Sequence, residues 1–350
     1  MNKTLKIAII VDDVLISDYL AELIIWSKSI DSVEISNYLY LVGDEKNESI
    51  KKSRLQKFFS LSFWKEYPKR KFKNFIFSFE KKRNLKNNKI HKNSINKHDI
   101  NTFGLNKIEV YPQSTKSKFS FKASDSSINK IKEEEFDLLL RFNKKIIKGE
   151  LLTVTNFGVI SMHHGSDLNY RGGPSGFWEV YNSDNKSGYI IQQLTEELDN
   201  GNILFRGFIS TQKSWLLNKA ELNLRSFFYL KKIIIEISKT FNLPKSLVNY
   251  PYSKNLNTDP TISEMLKYLF RKYKNKQESK EFKNAGNRYL VGYQETEWGS
   301  LNYRNANFID NPENKFLADP FIISKNNKNY CFVESYDYLL DKGTIDVYEL

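Results

Sequence analysis

Residues of the kinds that form active sites are concentrated between Gly158 and Gly207. This stretch holds the paired histidines His163 and His164, a Gly-Gly turn, an aromatic-rich helix and the acidic loop Thr195–Gly201. Histidine moves protons near neutral pH, and imidazoles together with carboxylates also bind zinc or iron. The stretch therefore predicts an active site that works either by proton transfer or through a metal ion.

A metal site would combine His163 and His164 with Asp167. Adjacent residues of a strand point to opposite faces, which disfavours the binding of one ion by both imidazoles. We therefore predict no metal site. The alternative to a catalytic His163 is a buried histidine that backbone groups satisfy.

The turn after the histidines, Arg171-Gly172-Gly173-Pro174, has residues suited to substrate binding. Arg171 either fixes an anionic substrate or braces the turn, and the sequence leaves both open. Gly172 and Gly173 allow a tight turn and a close approach of backbone. Trp178, on the helix that follows, is expected in the core.

The surrounding elements predict an α/β fold with a Rossmann-like, open and mostly parallel sheet. Short apolar runs at Lys6–Val11, Phe136–Phe142 and Gly158–Met162 are typical of buried parallel strands. The last of these runs delivers His163 to its carboxyl end, where sites collect in open α/β sheets. No glycine-rich loop follows the first run, so a dinucleotide-binding fingerprint is absent.

Other elements follow from periodicity and turn residues. A helix that Ser17 or Asp18 caps precedes a second strand, and a long amphipathic helix comes after the acidic loop. The remaining predicted elements are the strand Val33–Val42, a short helix Ile146–Leu152, paired strands Gly188–Leu194 and Asn202–Ser210, the helix Trp215–Ser238, a helix Ile262–Lys274, and tail strands Phe321–Ser324 and Tyr330–Glu334. The tail strands are predicted to form a hairpin whose turn is Asn326-Asn327-Lys328-Asn329.

The net charge of +13 comes from one segment. Residues 51–130 hold 21 Lys and Arg against 5 Asp and Glu, so they carry +16 and the rest of the chain −3. We interpret 45–130 as a solvated basic insertion, with nucleic acid, anionic lipid or phosphorylated sugars as the alternative partners. Its part from Lys81 to Asn106 is predicted to be a loop. The single cysteine, Cys331, and the lack of a long apolar run predict a cytoplasmic protein without a membrane span.

Residues 131–240 resemble the folate-dependent formyltransferases, the superfamily of methionyl-tRNA, glycinamide ribonucleotide and sugar-amine formyltransferases. That family has a strand ending in Asn-x-His, an Arg-Gly turn that opens a helix, and a later Leu-Asp-x-Gly loop. The chain shows Ser161-Met162-His163, then Arg171-Gly172-Gly173-Pro174, then Leu198-Asp199-Asn200-Gly201, in the same order.

The resemblance implies formyl transfer from 10-formyltetrahydrofolate to an amine, with three catalytic residues. His163 would donate to the developing oxyanion and move protons, and Asp199 would hold it in the useful tautomer. Ser161 stands where the family has asparagine. Loss of one oxyanion donor typically costs about 10²–10³ in turnover, so a serine that does not reach would slow the reaction.

The resemblance also implies binding residues around these three. The pterin would lie against the backbone of Arg141, Phe142 and Asn143 and against the loop residues Glu197, Leu198 and Gly201. The amine substrate would contact residues of the strand end and the turn, namely His164, Arg171, Gly172 and Gly173.

The tail from about residue 287 resembles the opening blade of the five-bladed β-propeller units found in glycosidase-like proteins and in the amino-terminal part of glucosamine inositolphosphorylceramide transferases. Asp319, in Ala-Asp-Pro-Phe, and Glu334, in Phe-Val-Glu, match that pattern. One blade cannot close a propeller, so we expect a longer protein or pairing with another chain.

The sequence thus predicts three units: a formyltransferase-like α/β domain over 1–241, a linker with one helix over 242–286, and a β-rich unit over 287–350. The leading hypothesis is formylation of the amine of a sugar or glycan precursor, which rests on the tail by association. The rivals are formylation of methionyl-tRNA, for which 51–130 would be the footprint, and a non-catalytic glycan-binding or scaffold protein.

Overall fold

The computed structural model describes residues 3–42, 61–85, 96–115, 117, 119–165, 170, 172–196, 201–249, 257–281, 289–296 and 306–350. The predicted site residues Arg171, Glu197, Leu198 and Asp199, and the alternative metal ligand Asp167, lie outside these ranges.

The described residues form strands and helices in alternation, followed by a purely β segment. The strands are β1 Leu5–Val11, β2 Leu15–Ser17, β3 Val33–Leu41, β4 Lys97–Asp99, β5 Asn106–Val110, β6 Pro112–Ser114, β7 Ser120–Ala123, β8 Leu138–Arg141, β9 Ile146–Lys148, β10 Val159–His163, β11 Lys186–Gln193, β12 Asn202–Ser210, β13 Val291–Tyr293, β14 Asn307–Ile309, β15 Lys315–Lys325, β16 Lys328–Asp337 and β17 Lys342–Glu349. The α-helices are α1 Asp18–Ser27, α2 Leu61–Leu85, α3 Asp125–Glu133, α4 Phe177–Asn182, α5 Trp215–Thr240 and α6 Ile262–Glu281.

A seven-stranded, mostly parallel sheet organises the fold, as predicted. Its strand order is β12-β11-β10-β8-β1-β3-β5. The five strands from β10 to β5 pair in parallel, while β11 and β12 add an antiparallel edge. All parallel strands therefore present their carboxyl ends at one edge, and β8 and β10 are neighbours there.

Two hydrophobic cores cover the two faces of this sheet. One core packs α1 and α5 against alternate residues of β1 and β8, including Ile9 and Leu140. The other packs α3 against the intervening residues, including Ile10 and Leu139. The alternation explains why the central strands are apolar throughout, because both of their faces are buried.

The predicted α1 cap is confirmed, since Leu20 N donates to Ser17 Oγ at 3.4 Å. The short helix predicted over 146–152 is wrong in its first half. Ile146–Lys148 forms β9, which pairs with β7 in parallel, and only Gly149–Leu152 forms a 3₁₀ turn. The β-branched residues Ile146 and Ile147 favour a strand, and this outweighs the apolar spacing.

The predicted loop between Lys81 and Asn106 is also wrong in its described parts. α2 continues to Leu85, β4 pairs with β2, and Ile100–Phe103 is a 3₁₀ turn. β5 follows as an edge strand of the main sheet, although it lies within the predicted insertion. The division of the chain into three units stays a prediction.

The tail forms a three-stranded antiparallel sheet of β15, β16 and β17, beside the β13-β14 pair. Its predicted hairpin is confirmed, with Asn326 and Asn327 in the left-handed region at φ 53° and 59°. The tail contacts the edge of the main sheet through Lys186 and Asp310, 2.7 Å apart, and through the rings of Phe208 and Phe308. None of the helices within the described residues has both the length and the apolar character needed to cross a membrane.

Candidate functional site

The carboxyl ends of β8 and β10 bring three predicted site residues to one face of the sheet. Ser161 is the register partner of Arg141 across the parallel pair. Ser161 and His163 are two residues apart on β10, so their side chains leave the same face. This is the face of Leu139 and Val159, which belong to the core under α3. Arg141, Ser161 and His163 therefore form a row at the sheet edge.

Arg141 contacts Ser161 and the loop after β8. Its Nη1 donates to Ser161 Oγ at 3.4 Å, and its Nη2 donates to the carbonyl oxygen of Lys145 at 3.1 Å. Ser161 is only 4% exposed. The two contacts, one across the strand pair and one along the loop, hold the guanidinium beside the Ser161 position.

Asn143 adds an acceptor next to this guanidinium. Its Nδ2 donates to the same Lys145 carbonyl oxygen at 2.7 Å, which fixes the orientation of the amide. Its Oδ1 is buried and accepts no hydrogen bond from the part of the chain that the structure describes. A buried acceptor without a donor costs free energy, so this oxygen is suited to accept a hydrogen bond from a bound group.

Phe142, between these two residues, faces the other side of the sheet. Its ring stacks on Phe227 of α5 at 5.7 Å, and its backbone N donates to Ile10 O at 2.9 Å. Any contact of Phe142 with a cofactor would therefore use its backbone carbonyl, in line with the main-chain contacts that the sequence predicts.

The ring of His163 lies over the chain at Gly165. A Cβ added at Gly165 would come within 3.0 Å of His163 Nε2 and 2.6 Å of the carbonyl oxygen of Tyr170. The close approach of backbone and imidazole is therefore possible only with glycine at this position. His163 as a whole is partly exposed, whereas its Nε2, on the side of Gly165, is buried.

His164 faces α5, on the opposite side of the sheet from His163. Its Nε2 lies 2.7 Å from Ser226 Oγ, and Ser226 donates its own proton to Asn223 O at 3.0 Å. Nε2 of His164 therefore carries the proton. Burial, reinforced by the charges of His163 and Lys219, lowers the pKa of His164 to about 3. The imidazole is partly buried, is held against α5 and is neutral at physiological pH.

The acidic loop contacts the rest of the protein on both sides of residues 197–200, which lie outside the described ranges. Glu196 Oε1 accepts a hydrogen bond from Gly149 N at 2.5 Å, and Lys148 Nζ donates to the Glu196 carbonyl oxygen. Beyond the loop, a Cβ added at Gly201 would lie 2.6 Å from Gln193 O. The hydrogen bonds of Glu196 hold one end of the segment that contains Asp199, and at the other end Gly201 lies close to Gln193.

The glycine turn has one position that requires glycine and one that does not. Gly172 has φ 92°, in the region that other residues rarely adopt, whereas a Cβ at Gly173 would meet nothing within 4 Å. The carbonyl oxygen of Gly173 accepts a hydrogen bond from Trp178 Nε1 at 3.1 Å. Trp178 is partly buried and packs against the buried aromatic cluster around Phe177, at the border of the core.

Sequence reasoning missed a buried carboxylate near the turn. Glu179 of α4 is 2% exposed, and burial, with a smaller contribution from Asp184, raises its pKa to about 7. Asp184 in turn accepts a hydrogen bond from Tyr170 OH at 2.5 Å. The only available signal was a lone glutamate in the aromatic helix Phe177–Asn182.

A second missed residue is Lys219, whose charge acts on His164. Burial, followed by the charge of Lys73 on α2, lowers the pKa of Lys219. Within the described ranges, no three His, Cys, Asp or Glu side chains are grouped so that they could hold a metal ion. A cavity of about 420 Å³ between β12, α5 and Phe308 lies apart from the row of Arg141, Ser161 and His163.

Comparison with known proteins gives short matches in sequence. No protein-family profile matches the chain. Over 78 residues it is 38% identical to the methionyl-tRNA formyltransferase of Borrelia duttonii. The matched stretch is 22% of this chain and 25% of that protein. Over 116 residues it is 28% identical to the methionyl-tRNA formyltransferase of Clostridium acetobutylicum, 32% and 37% of the two chains. The chain thus matches about a quarter to a third of the length of these relatives.

Solved formyltransferase structures are also similar in part. A sugar N-formyltransferase from Shewanella sp. superimposes with a TM-score of 0.41 and 17% identity, covering 76% of this chain and 88% of that one. A phosphoribosylglycinamide formyltransferase from Anaplasma phagocytophilum gives a TM-score of 0.40 and 13% identity, covering 67% and 88%.

Proposed function

We propose that this protein transfers a formyl group from 10-formyltetrahydrofolate to the amine of a sugar or glycan precursor in the cytoplasm. The observation that carries the proposal is the row of Arg141, Ser161 and His163 at the carboxyl edge of the sheet. The anchored acidic loop and the sequence matches to formyltransferases add support.

The residues at this edge fit a folate-type donor. A pterin ring presents N–H groups, and the buried Oδ1 of Asn143 is an acceptor that calls for such a donor. Arg141, Phe142 and Asn143, with Glu197, Leu198 and Gly201 of the loop, would line the pterin. When bound, 10-formyltetrahydrofolate supplies the formyl carbon that the amine attacks.

The side chains at this edge have distinct tasks in the reaction. His163 accepts the proton that the attacking amine loses and returns it to the departing nitrogen. Asp199 holds the His163 tautomer that performs this transfer. The Ser161 position faces the formyl oxygen, on which negative charge develops. Arg171, Gly172 and Gly173 of the turn hold the acceptor amine in line with the donor. His164, which the resemblance also assigns to substrate binding, faces α5 on the other side of the sheet instead.

The sugar acceptor is inferred from the tail. The resemblance of its sequence to a propeller unit of the kind associated with glycan enzymes supports this choice by association, and the described residues there form the three-stranded sheet β15-β16-β17. In this sheet Ala318 and Glu334 are register partners, and Asp319 occupies an irregular position with φ 47°. Asp319 thus follows directly after the register partner of Glu334.

Methionyl-tRNA is the second candidate acceptor, because the sequence matches are to methionyl-tRNA formyltransferases. The basic segment 51–130 would then contact the tRNA backbone. If methionyl-tRNA is the acceptor, the protein must bind initiator tRNA in a salt-sensitive manner. Absence of tRNA binding at low salt would rule out this acceptor.

The proposal is tested by incubating the purified protein with 10-formyltetrahydrofolate and three groups of acceptors: free amino sugars, nucleotide-linked amino sugars and charged initiator tRNA. We expect formylation of an amino sugar that disappears in His163→Ala. The matched control is His98→Ala, since His98, on β4, contacts Asp18 at the start of α1 and is not one of the proposed site residues. Failure to bind the folate in calorimetry would support the non-catalytic alternative.

A further inference from the structure

We propose that Arg141 is a catalytic residue, and that its guanidinium donates to the formyl oxyanion in place of the asparagine that the formyltransferase pattern has at position 161. This inference rests on the proposed function and adds a residue role to it. It starts from the finding that the shorter side chain at 161 has a cationic neighbour on the adjacent strand.

The strand register places the guanidinium where an amide at 161 would lie. Arg141 and Ser161 are directly opposite each other, and adjacent strands are about 4.8 Å apart. Nη1 of Arg141 lies 3.4 Å from Ser161 Oγ. An asparagine at 161 would extend beyond the present Oγ, so its amide and the guanidinium would compete for the same space.

The guanidinium is held in place by its surroundings. Nη2 donates to the Lys145 carbonyl oxygen, which the Asn143 amide also contacts at 2.7 Å. Asn143 is 7% exposed, so this loop is packed rather than free in solvent. A donor whose geometry is fixed before the reaction stabilises developing charge without a cost of reorganisation.

The chemistry of arginine suits the task. The guanidinium stays protonated at all accessible pH values and carries five N–H donors in a planar fork, so it can contact two protein oxygens and donate to a third. A charged donor forms a stronger hydrogen bond to an oxyanion than a neutral amide does. Ser161 then positions Arg141 instead of acting on the substrate.

The proposal also explains the row of three residues. His163, two residues beyond Ser161 on the same face, handles protons at the amine nitrogen. Arg141 stands beside Ser161, on the side of β8, and acts on the oxygen. The two roles are thus assigned to two neighbouring strands.

The test compares Arg141→Ala, Arg141→Lys and the double variant Arg141→Ala/Ser161→Asn in the formyl-transfer assay. For Arg141→Ala we expect kcat to fall about 10²–10³-fold, with a much smaller change in KM for the folate. Arg141→Lys should keep part of the rate, because lysine retains the charge but not the fork. The double variant should regain at least tenfold over Arg141→Ala, because an amide replaces the lost donor.

Two further measurements separate catalysis from folding. Added guanidinium ion, at concentrations below those that unfold the protein, should raise the rate of Arg141→Ala and leave Arg225→Ala unchanged. Arg225 is the matched control, since it pairs with Glu221 on α5 away from the row. Thermal unfolding of each variant shows whether it folds. If Arg141→Ala does not fold, the kcat of Arg141→Lys is used to test the role of Arg141.

The outcomes distinguish this inference from the proposed function. A wild-type protein without formyl transfer to any acceptor would defeat the proposed function itself. An active wild type with an Arg141→Ala variant within threefold of its kcat would overturn the role of Arg141 and leave the proposed function standing. An active wild type whose Arg141→Ala variant loses only folate affinity, with kcat unchanged, would also overturn it.

Discussion

Glu80 accepts a hydrogen bond from the backbone N of Leu216, at 2.9 Å, and so caps the first turn of α5 from a different part of the chain. Glu80 lies on α2, inside the segment that the sequence marks as a basic insertion, and it is fully buried. Its second oxygen accepts from Tyr268 OH, which itself accepts from Trp215 N at 2.8 Å. The basic segment therefore contributes an acidic residue to the domain that it interrupts.

We predict that Glu80→Ala destabilises the protein by about 1–3 kcal/mol, because it leaves the buried N–H of Leu216 and the hydroxyl of Tyr268 without their acceptor. Urea unfolding followed by circular dichroism measures the change. Glu133→Ala, at an exposed position of α3, is the matched control and should shift the midpoint little. Equal midpoints for the two variants would show that α2 does not support α5.

The buried carboxyl of Glu179 predicts a pH-dependent stability. Its pKa rises from 4.5 to about 7 in the folded protein, so the folded state binds more protons than the unfolded state between these values. Stability from this group is therefore present below pH 4.5 and is lost as the pH rises towards 7. A shift of this size corresponds to about 3 kcal/mol.

Replacement of Glu179 by glutamine removes this titration. We expect Glu179→Gln to be more stable than wild type at pH 8 by up to about 3 kcal/mol, and to have no advantage at pH 4.5. Urea unfolding at the two pH values gives the comparison. If the two proteins differed in stability by the same amount at both pH values, the burial of an ionisable group at this position would be contradicted.

His164 should remain neutral through the physiological range, since its pKa is lowered to about 3. In a proton NMR titration of the folded protein we expect its ring resonance not to shift between pH 5 and 8. His164→Ala identifies the resonance by its loss. The depressed pKa also means that the stability from His164 is present above about pH 6.5 and decreases as the pH falls towards 3. A ring that titrates near pH 6.5 would place His164 in solvent instead of against Ser226.

The two site glycines Gly201 and Gly173 form a matched pair. A Cβ at Gly201 would meet the Gln193 carbonyl oxygen at 2.6 Å, so Gly201→Ala should cost about 1–3 kcal/mol and disturb the loop with Asp199. Gly173→Ala meets nothing within 4 Å and should leave the unfolding midpoint nearly unchanged. The unfolding midpoints of the two variants test this expectation. A larger loss of stability in Gly173→Ala than in Gly201→Ala would contradict the close approach of Gly201 to Gln193.

Local patterns in the sequence were sufficient to predict most of the sheet. The strands around Ile9, Leu139 and Ile160 are apolar on both faces, and the helix that begins at Trp215 has a regular apolar stripe, so burial and periodicity identify them directly. The row at the sheet edge follows from the same pattern, because a parallel sheet collects its strand ends.

Other features depend on partners that are distant in the chain, so no local pattern reveals them. β5 is a short strand with polar residues at exposed positions, and only its pairing with β3 identifies it. Glu80 looks like one solvated charge among many lysines until α5 is placed against it. The contact between Arg141 and Ser161 depends on the register of β8 and β10, which the sequence alone does not specify.

The central claim, formyl transfer by the edge that holds His163, is tested most directly by a single-turnover reaction. Enzyme in excess is mixed with 10-formyltetrahydrofolate and an amino-sugar acceptor, and the formylated product is followed by mass spectrometry. We predict transfer by the wild type and by His98→Ala, and a rate lower by about 10²–10⁴-fold in His163→Ala. Equal transfer by His163→Ala and wild type, or no transfer by wild type to any amine offered, would contradict this account.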